Sequence, residues 1–393
     1  MTYKELFAKH TIVRQLSAIQ FIAYFGAWFS NVAIYSMLIE FNAEPFLIAI
    51  VTAMHFIPAV VLSPFSGSIV DRISAKKLMI ILLSIELLMT LCFLLINSLS
   101  DIWLLLIFLF IRMSGASIFF TTEMTLLPKL LSGEALRKAN ELHSIIWSFT
   151  FTAGMALGGI IVNLYGVKIS FIIDSAFFII ALIILLRTHI TLEHIKVEEK
   201  IWKSIKDGIN YIKENKHLLR LMFLHGTIGL TAFDTLVTLL ADYQYKYILA
   251  VPLAIGLTNA TRALSLMIGP LFITNWITKE KLTYLFIFQG VMIIIWSYTQ
   301  YNFYLGLFGI FLTGLATTTL WSYTYALLQD KVEKKFLGRV LAYNEMVFMM
   351  SNVLTTLFIG FMASFISLSF ITIILGSLFI LIGFYYKRSL QWI

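Results

Sequence analysis

Six polar side chains interrupt long apolar stretches of this chain: Glu86, Arg112, Asp234, Arg262, His55 and Asn31. A charge near the centre of a bilayer costs about 2.5–3.5 kcal/mol on insertion scales, so each of the four carboxylates and guanidiniums is a functional candidate. Asp234 is the sharpest of them. No basic residue stands three or four positions away to neutralise it, and Thr231, Thr235 and Thr238 offer it only hydrogen bonds. The chemistry such a group can perform is reversible protonation. Burial favours the neutral carboxyl, whereas a nearby cation favours the carboxylate. If Asp234 alternates between Arg112 or Arg262 and an apolar setting, it releases a proton in one state and binds it in the other. Asn31 cannot titrate, so a single coupling proton is expected at this level.

Other chemistries lack their residues. No Gly-x-x-x-x-Gly-Lys-Ser/Thr loop is present to hold ATP, and no His-Glu-x-x-His or Ser/His/Asp arrangement suggests hydrolysis. The one cysteine, Cys92, excludes an internal disulfide and a cysteine-based metal site. The expectation is therefore a non-enzyme without cofactor or metal.

The elements that must position these residues are membrane spans. The 393 residues are 60% hydrophobic and 13% charged, against about 45–50% and about 25% in soluble domains. A helix crosses the hydrocarbon core with about 20 apolar residues. Twelve such segments can be marked: 17–38, 46–70, 77–97, 102–126, 141–163, 168–187, 218–241, 252–275, 282–299, 303–327, 339–363 and 366–386. Of the 29 Lys and Arg, 25 lie in the termini and the loops on one side, which makes that side cytoplasmic, with both termini there. The net charge of +8 is then a topology signal, and no nucleic-acid partner is expected. Residues 1–16 lack the pattern of a cleavable signal, so the first span is expected to act as an uncleaved anchor.

The chain also repeats. Pro45 and Pro64 in the second span recur as Pro252 and Pro270 in the eighth, at offsets of 207 and 206. Two parallel six-helix halves fit a transporter that rocks around a midplane site. Residues 1–188 are expected to form the first bundle, 189–217 a cytoplasmic linker and 218–393 the second bundle. In the linker, Ile201, Ile205, Ile209 and Ile212 form an apolar stripe beside Trp202, opposite lysines. That pattern reads as an amphipathic helix lying on the cytoplasmic leaflet. Asn31 and Asp234 match at offset 203, and His55 and Arg262 at offset 207, which suggests one site built from both halves.

The loop Gly67-Ser-Ile-Val-Asp71-Arg72-Ile-Ser74-Ala75-Lys76-Lys77 resembles the major facilitator superfamily signature Gly-x-x-x-Asp-Arg-x-Gly-Arg/Lys-Arg/Lys. Ser74 and Ala75 depart from it. Physically, Gly67 would let helices approach closely, while Asp71, Arg72, Lys76 and Lys77 would form a breakable clasp at the inner face. The stretches Leu127-Pro128 to Asn140, Ile172-Ile-Asp174-Ser and Gly338-Arg339-Val340 look like the drug- and siderophore-exporting subgroup, relatives of macrolide efflux proteins and the enterobactin exporter. Gly154-Met-Ala-Leu-Gly158-Gly159 is similar to the antiporter motif Gly-Pro-x-x-Gly-Gly, with Met155 for proline. Gly154 and Gly158 are equally a small-residue packing pair.

The resemblance implies the major facilitator fold, an all-α polytopic membrane protein in a bacterial inner membrane. It also implies that spans 1, 4, 7 and 10 line a cavity, placing Asn31, Arg112 and Asp234 on pore helices. The expected function is proton-coupled efflux of a small amphipathic molecule by a monomer; a lipid or lysophospholipid flippase of the same fold and a metal-ion exporter are the alternatives. Tyr24, Trp28, Phe233, Trp321, Tyr323, Tyr325 and Tyr343 could line the cavity. Glu86 could pair with Arg112. Glu123, Glu141 and Glu345 fall near the inner face, where pairing or gating is expected, and Asp174 is expected to be solvated near the outer face. His225 reads as a hydrogen-bonded core histidine.

Overall fold

The structure is a computed structural model and describes residues 2–190, 201–333 and 335–389. Among the described residues, twelve helices are long and apolar enough to cross a membrane. In order, spans 1 to 6 are Thr11–Glu40, Pro45–Gly67, Ala75–Leu95, Leu99–Leu130, Gly133–Tyr165 and Val167–Arg187. Spans 7 to 12 are Lys216–Tyr245, Val251–Ile273, Leu282–Thr299, Phe303–Lys331, Leu337–Met362 and Leu368–Arg388. No strand occurs among the described residues, as the all-α expectation requires. In hydrocarbon every backbone polar group must be paired within its own segment, which is what a helix achieves.

Two compact units emerge. The first comprises residues 1–41 and 65–198, the second residues 42–64 and 199–393. In the first, span 1 packs against spans 5 and 6, and span 3 against spans 4 and 6. Gly154 and Gly158 make the seam between spans 1 and 5. A Cβ on Gly154 would fall 2.8 Å from the Cβ of Trp28, and one on Gly158 would fall 3.0 Å from the carbonyl oxygen of Phe29. Small residues let backbones meet where apolar burial gives helices no net attraction in lipid. In the second unit, span 9 packs on span 12 and span 8 on span 10. Residues 45–53 of span 2 also belong to it, packing on span 11.

Two spans are interrupted, and both interruptions carry polar residues. Span 2 consists of Pro45–Ala53 and Ile57–Arg72, separated by a turn at Met54, His55 and Phe56. Pro58 has no N–H to give the carbonyl of Met54, which explains the break. Span 7 breaks without proline. Its helix Lys216–Gly226 tightens into a 3₁₀ segment, Thr227–Thr231, and resumes as Asp234–Leu240. Gly226 and Gly229 allow span 11 to press on this stretch; their Cβ atoms would fall 2.8 Å from Val347 Cγ1 and 2.7 Å from Ser351 Cβ.

The amphipathic linker helix forms over Ile201–Glu214; residues 191–200 of the expected linker lie outside the described residues. It docks on protein in the second unit. Tyr343 of span 11 donates to the carbonyl of Ile205 at 2.9 Å, and the Tyr211 hydroxyl accepts from the Glu333 amide at 3.1 Å. The Tyr211 and Phe336 rings stack with centroids 4.2 Å apart. Its inward face is therefore held by span 11, which corrects the expectation that its apolar stripe faces lipid. Ile212 is buried there, whereas Trp202 is 72% exposed.

Candidate functional site: charged residues inside the spans

The break in span 7 builds the first cluster, in the second unit. Where the chain leaves the helix at Ala232 and Phe233, the carbonyl of Thr231 accepts from the Phe233 amide at 2.8 Å and keeps a second lone pair for a partner outside span 7. Arg262 of span 8 donates Nη2 to that carbonyl and holds Nη1 3.8 Å from Oδ2 of Asp234, the first residue after the break. The guanidinium also lies 5.3 Å over the ring of Phe233. Asp234 and Arg262 keep 19% and 11% of their side-chain surface exposed, and at 3.8 Å the pair is longer than a hydrogen bond. Thr238 donates to the backbone carbonyl of Asp234, not to its carboxylate.

In the first unit, Arg112 pairs with Asp174. Arg112 Nη2 donates to Asp174 Oδ2 at 2.8 Å, and Ser30 donates to the same oxygen. The guanidinium is flanked by Phe93 and Phe178, 5.6 and 5.5 Å from the ring centroids. Asp174 is fully buried, which corrects its expected solvation. The face of span 6 that carries it also carries Ser170, Phe171 and Phe178, all buried against the unit. This pairing overturns a further expectation. Arg112 has its carboxylate partner, Asp174, within its own unit, and Glu86 is not that partner. Glu86 is buried and within electrostatic reach of Arg112 and Asp174, with its Cγ 3.3 Å from where a Cβ on Gly115 would sit.

A third cluster joins spans 1, 4 and 5 and includes a residue the sequence reading missed. Glu123 Oε2 lies 3.8 Å from Nδ1 of His143 and accepts from the Tyr24 hydroxyl at 3.4 Å. Gln20 donates to the backbone carbonyl of His143 at 3.1 Å. His225, by contrast, is the core histidine expected: its Nδ1 is 2.9 Å from Thr324 Oγ1, and the rings of Trp321, Tyr325 and Phe348 surround it.

The remaining candidates are placed as follows. His55 sits in the interruption of span 2, with Nδ1 3.2 Å from the Thr52 carbonyl. Asn31 is half-buried on span 1, and it is its neighbour Ser30 that reaches the charge on span 6. Among the described residues, no group of three or more His, Cys, Asp or Glu could hold a metal ion.

The Major Facilitator Superfamily sequence profile matches residues 16–296. The chain belongs to the Major Facilitator Superfamily. It is 22% identical to macrolide efflux protein A of Streptococcus pyogenes over 79% of each chain. It is 23% identical to the protein of that name from Enterococcus faecalis, over 73% of this chain and 92% of that one. The fold is similar to that of the nucleoside transporter NupG, with a TM-score of 0.77 at 13% identity, covering 97% of this chain and 99% of that one. This facilitator is thus a multi-pass bacterial membrane transporter, and its family and structural neighbours are transporters, not enzymes.

The superfamily signature loop behaves differently from its expected roles. Among the described residues, nothing lies within 4 Å of where a Cβ on Gly67 would sit, so close helix approach is not its contribution here. The side chain of Asp71 lies outside the described residues; Arg72 and Lys77 are exposed. Lys76 donates to the carbonyl of Leu186 at 3.0 Å, placing a cation on the C-terminal end of span 6, where the helix dipole favours it. In the antiporter-like motif, Gly154, Gly158 and Gly159 are buried, and the first two form the close seam with span 1.

Proposed function

We propose that this facilitator is a proton-coupled exporter of a small amphipathic molecule, with Asp234 as the coupling carboxylate and Arg262 as its partner. One observation carries the reading: Asp234 stands where span 7 is broken, and the same arginine contacts both the carboxylate and the Thr231 carbonyl at the break. A discontinuous span with an ion-binding group at its break is a recurrent way to couple local rearrangement to transport. At 3.8 Å the pair is close enough to stabilise the carboxylate and loose enough to part. When span 7 shifts and Arg262 stays on the Thr231 carbonyl, Asp234 loses its cation and takes up a proton. When they approach again, the proton leaves. Coupling that cycle to alternating exposure of the substrate site by two six-helix halves exchanges protons for substrate.

The reading includes both termini and the linker helix on the cytoplasmic side, where the Lys and Arg residues gather. The similarity to macrolide efflux proteins suggests a macrolide-like amphipathic substrate. The test is accumulation of a labelled macrolide in cells with and without the protein. Lower accumulation that an uncoupler abolishes is the expected result. Accumulation unaffected by the protein, or by the uncoupler, contradicts it.

A further inference from the structure

The Glu123–His143 cluster has no place in the cycle just described, and its geometry is unusual for a structural histidine. His143 is 7% exposed and Glu123 is 2% exposed. Among the described residues, neither ring nitrogen of His143 has a hydrogen-bond partner. A neutral imidazole always carries one N–H and one lone pair, and burying both unpaired is costly. His225 shows the usual remedy, a side-chain hydroxyl on Nδ1. His143 instead has a carboxylate oxygen 3.8 Å from Nδ1, beyond hydrogen-bonding distance.

The neighbours leave that carboxylate without a permanent cation. Span 1 contributes the neutral Tyr24, which donates to Glu123, and Gln20, which binds only the backbone of His143. Span 4 adds the ring of Phe120, 5.7 Å from the imidazole. On span 3, Glu86 acts on Tyr24 electrostatically. Among the described residues, neither Glu123 nor His143 joins any other ion pair. One added proton gives the carboxylate a cation and Nδ1 an acceptor, leaving Nε2 as the unpaired ring nitrogen. It makes an imidazolium beside a carboxylate, which at a contraction of about 1 Å would form a charge-assisted hydrogen bond of about 2.7–2.9 Å.

We propose that Glu123 and His143 share one exchangeable proton and form a second proton-binding site, in the first unit, separate from Asp234 and Arg262 in the second. The proton enters the pair from water and leaves to water, with no other bond made or broken. Binding draws span 5 toward span 4 at this level, and release lets them separate while Gln20 keeps the backbone of His143 tied to span 1. The transport role of the site rests on the proton-coupled reading above; its existence as a titrating pair does not.

The test follows the imidazole directly. The protein in lipid nanodiscs, labelled at histidine Cε1, is titrated by NMR, and the His143 signal is assigned as the one absent in His143→Gln. The expected result is a His143 signal that titrates, as an imidazole does between about pH 5 and pH 8. In Glu123→Gln the midpoint should fall by about one pH unit or more, a tenfold weaker proton affinity, because the neighbouring negative charge is gone. Asp234→Asn should leave it in place. A His143 signal that does not titrate overturns the proposal, as does an unchanged midpoint in Glu123→Gln. If Glu123→Gln does not fold, Glu123→Asp decides: lengthening the gap should lower the midpoint, and no shift overturns the pairing. In proteoliposomes, the slope of the logarithmic accumulation ratio against the pH difference should fall by about one proton in His143→Gln; an unchanged slope removes the transport role. Wild-type accumulation independent of pH would end the coupling reading while leaving the NMR outcome to judge the pair.

Discussion

The guanidinium of Arg112 and the carboxylate of Asp174 meet at 2.8 Å with 2% and 0% of their side-chain surface exposed. They join span 4 to span 6, and Ser30 ties span 1 to the same oxygen. A Cβ on Gly26 would collide with the other oxygen, Oδ1, so the glycine provides the space in which the carboxylate sits. Two flanking rings cover the guanidinium. This pair fastens the first unit, whereas the longer and more exposed Asp234–Arg262 pair is the one suited to opening.

Removing one member of the fastened pair should leave the other charge buried alone, at a cost of about 3–5 kcal/mol. Asp174→Asn is therefore expected to lower the thermal unfolding temperature of the purified protein sharply. The double variant Asp174→Asn with Arg112→Gln should recover part of the loss. A double variant that loses the sum of both single effects would mean that the two residues act independently.

The seam between spans 1 and 5 predicts a contrast between glycines. Gly158→Leu must displace Phe29 and Val32, and overpacking of this kind costs about 1–3 kcal/mol or more. Gly67→Ala meets open space and should be neutral or stabilising by up to about 1 kcal/mol. Thermal unfolding of the two variants checks the order.

Much of the architecture was legible because a bilayer demands long apolar helices and their lengths survive in the sequence. Which span carries each charge was legible too, but facing was not. Asp174 lies near the start of its span, which suggested water, yet helical spacing puts it on the face with Ser170 and Phe178. The Pro45/Pro252 offset paired Arg262 with His55 and so drew attention to it, but it was the break in span 7 that brought Arg262 to Asp234. That break carries no proline; its signal is the Gly226 and Gly229 spacing, which also occurs in unbroken helices. His143 escaped because a polar residue near a span end looks ordinary until its missing hydrogen bonds are seen. Gly67 shows the opposite error, a signature glycine whose assumed close contact is not found among the described residues.

The linker helix should be mechanically tied to span 11. Tyr343→Phe removes the bond to Ile205, a loss of about 0.5–1.5 kcal/mol, and Phe336→Leu removes the ring that stacks on Tyr211. Hydrogen exchange over residues 201–214 should quicken in each variant and most in the pair. Exchange equal to wild type would place the anchorage elsewhere.

Orientation can be read by cysteine labelling in a Cys92→Ser background. A cysteine at Asn302 should react with an impermeant reagent added to whole cells, and one at Glu333 only after the membrane is opened. The reverse pattern would invert the proposed topology.

The central claim is that Asp234 carries the coupling proton. Purified Asp234→Asn protein, reconstituted beside wild type, is assayed for two activities with a labelled macrolide: uphill accumulation driven by an imposed pH gradient, and downhill exchange without one. The account predicts that uphill accumulation disappears while exchange remains measurable, because the amide keeps the shape of the site and loses only its proton. Uphill accumulation by Asp234→Asn equal to wild type would contradict it.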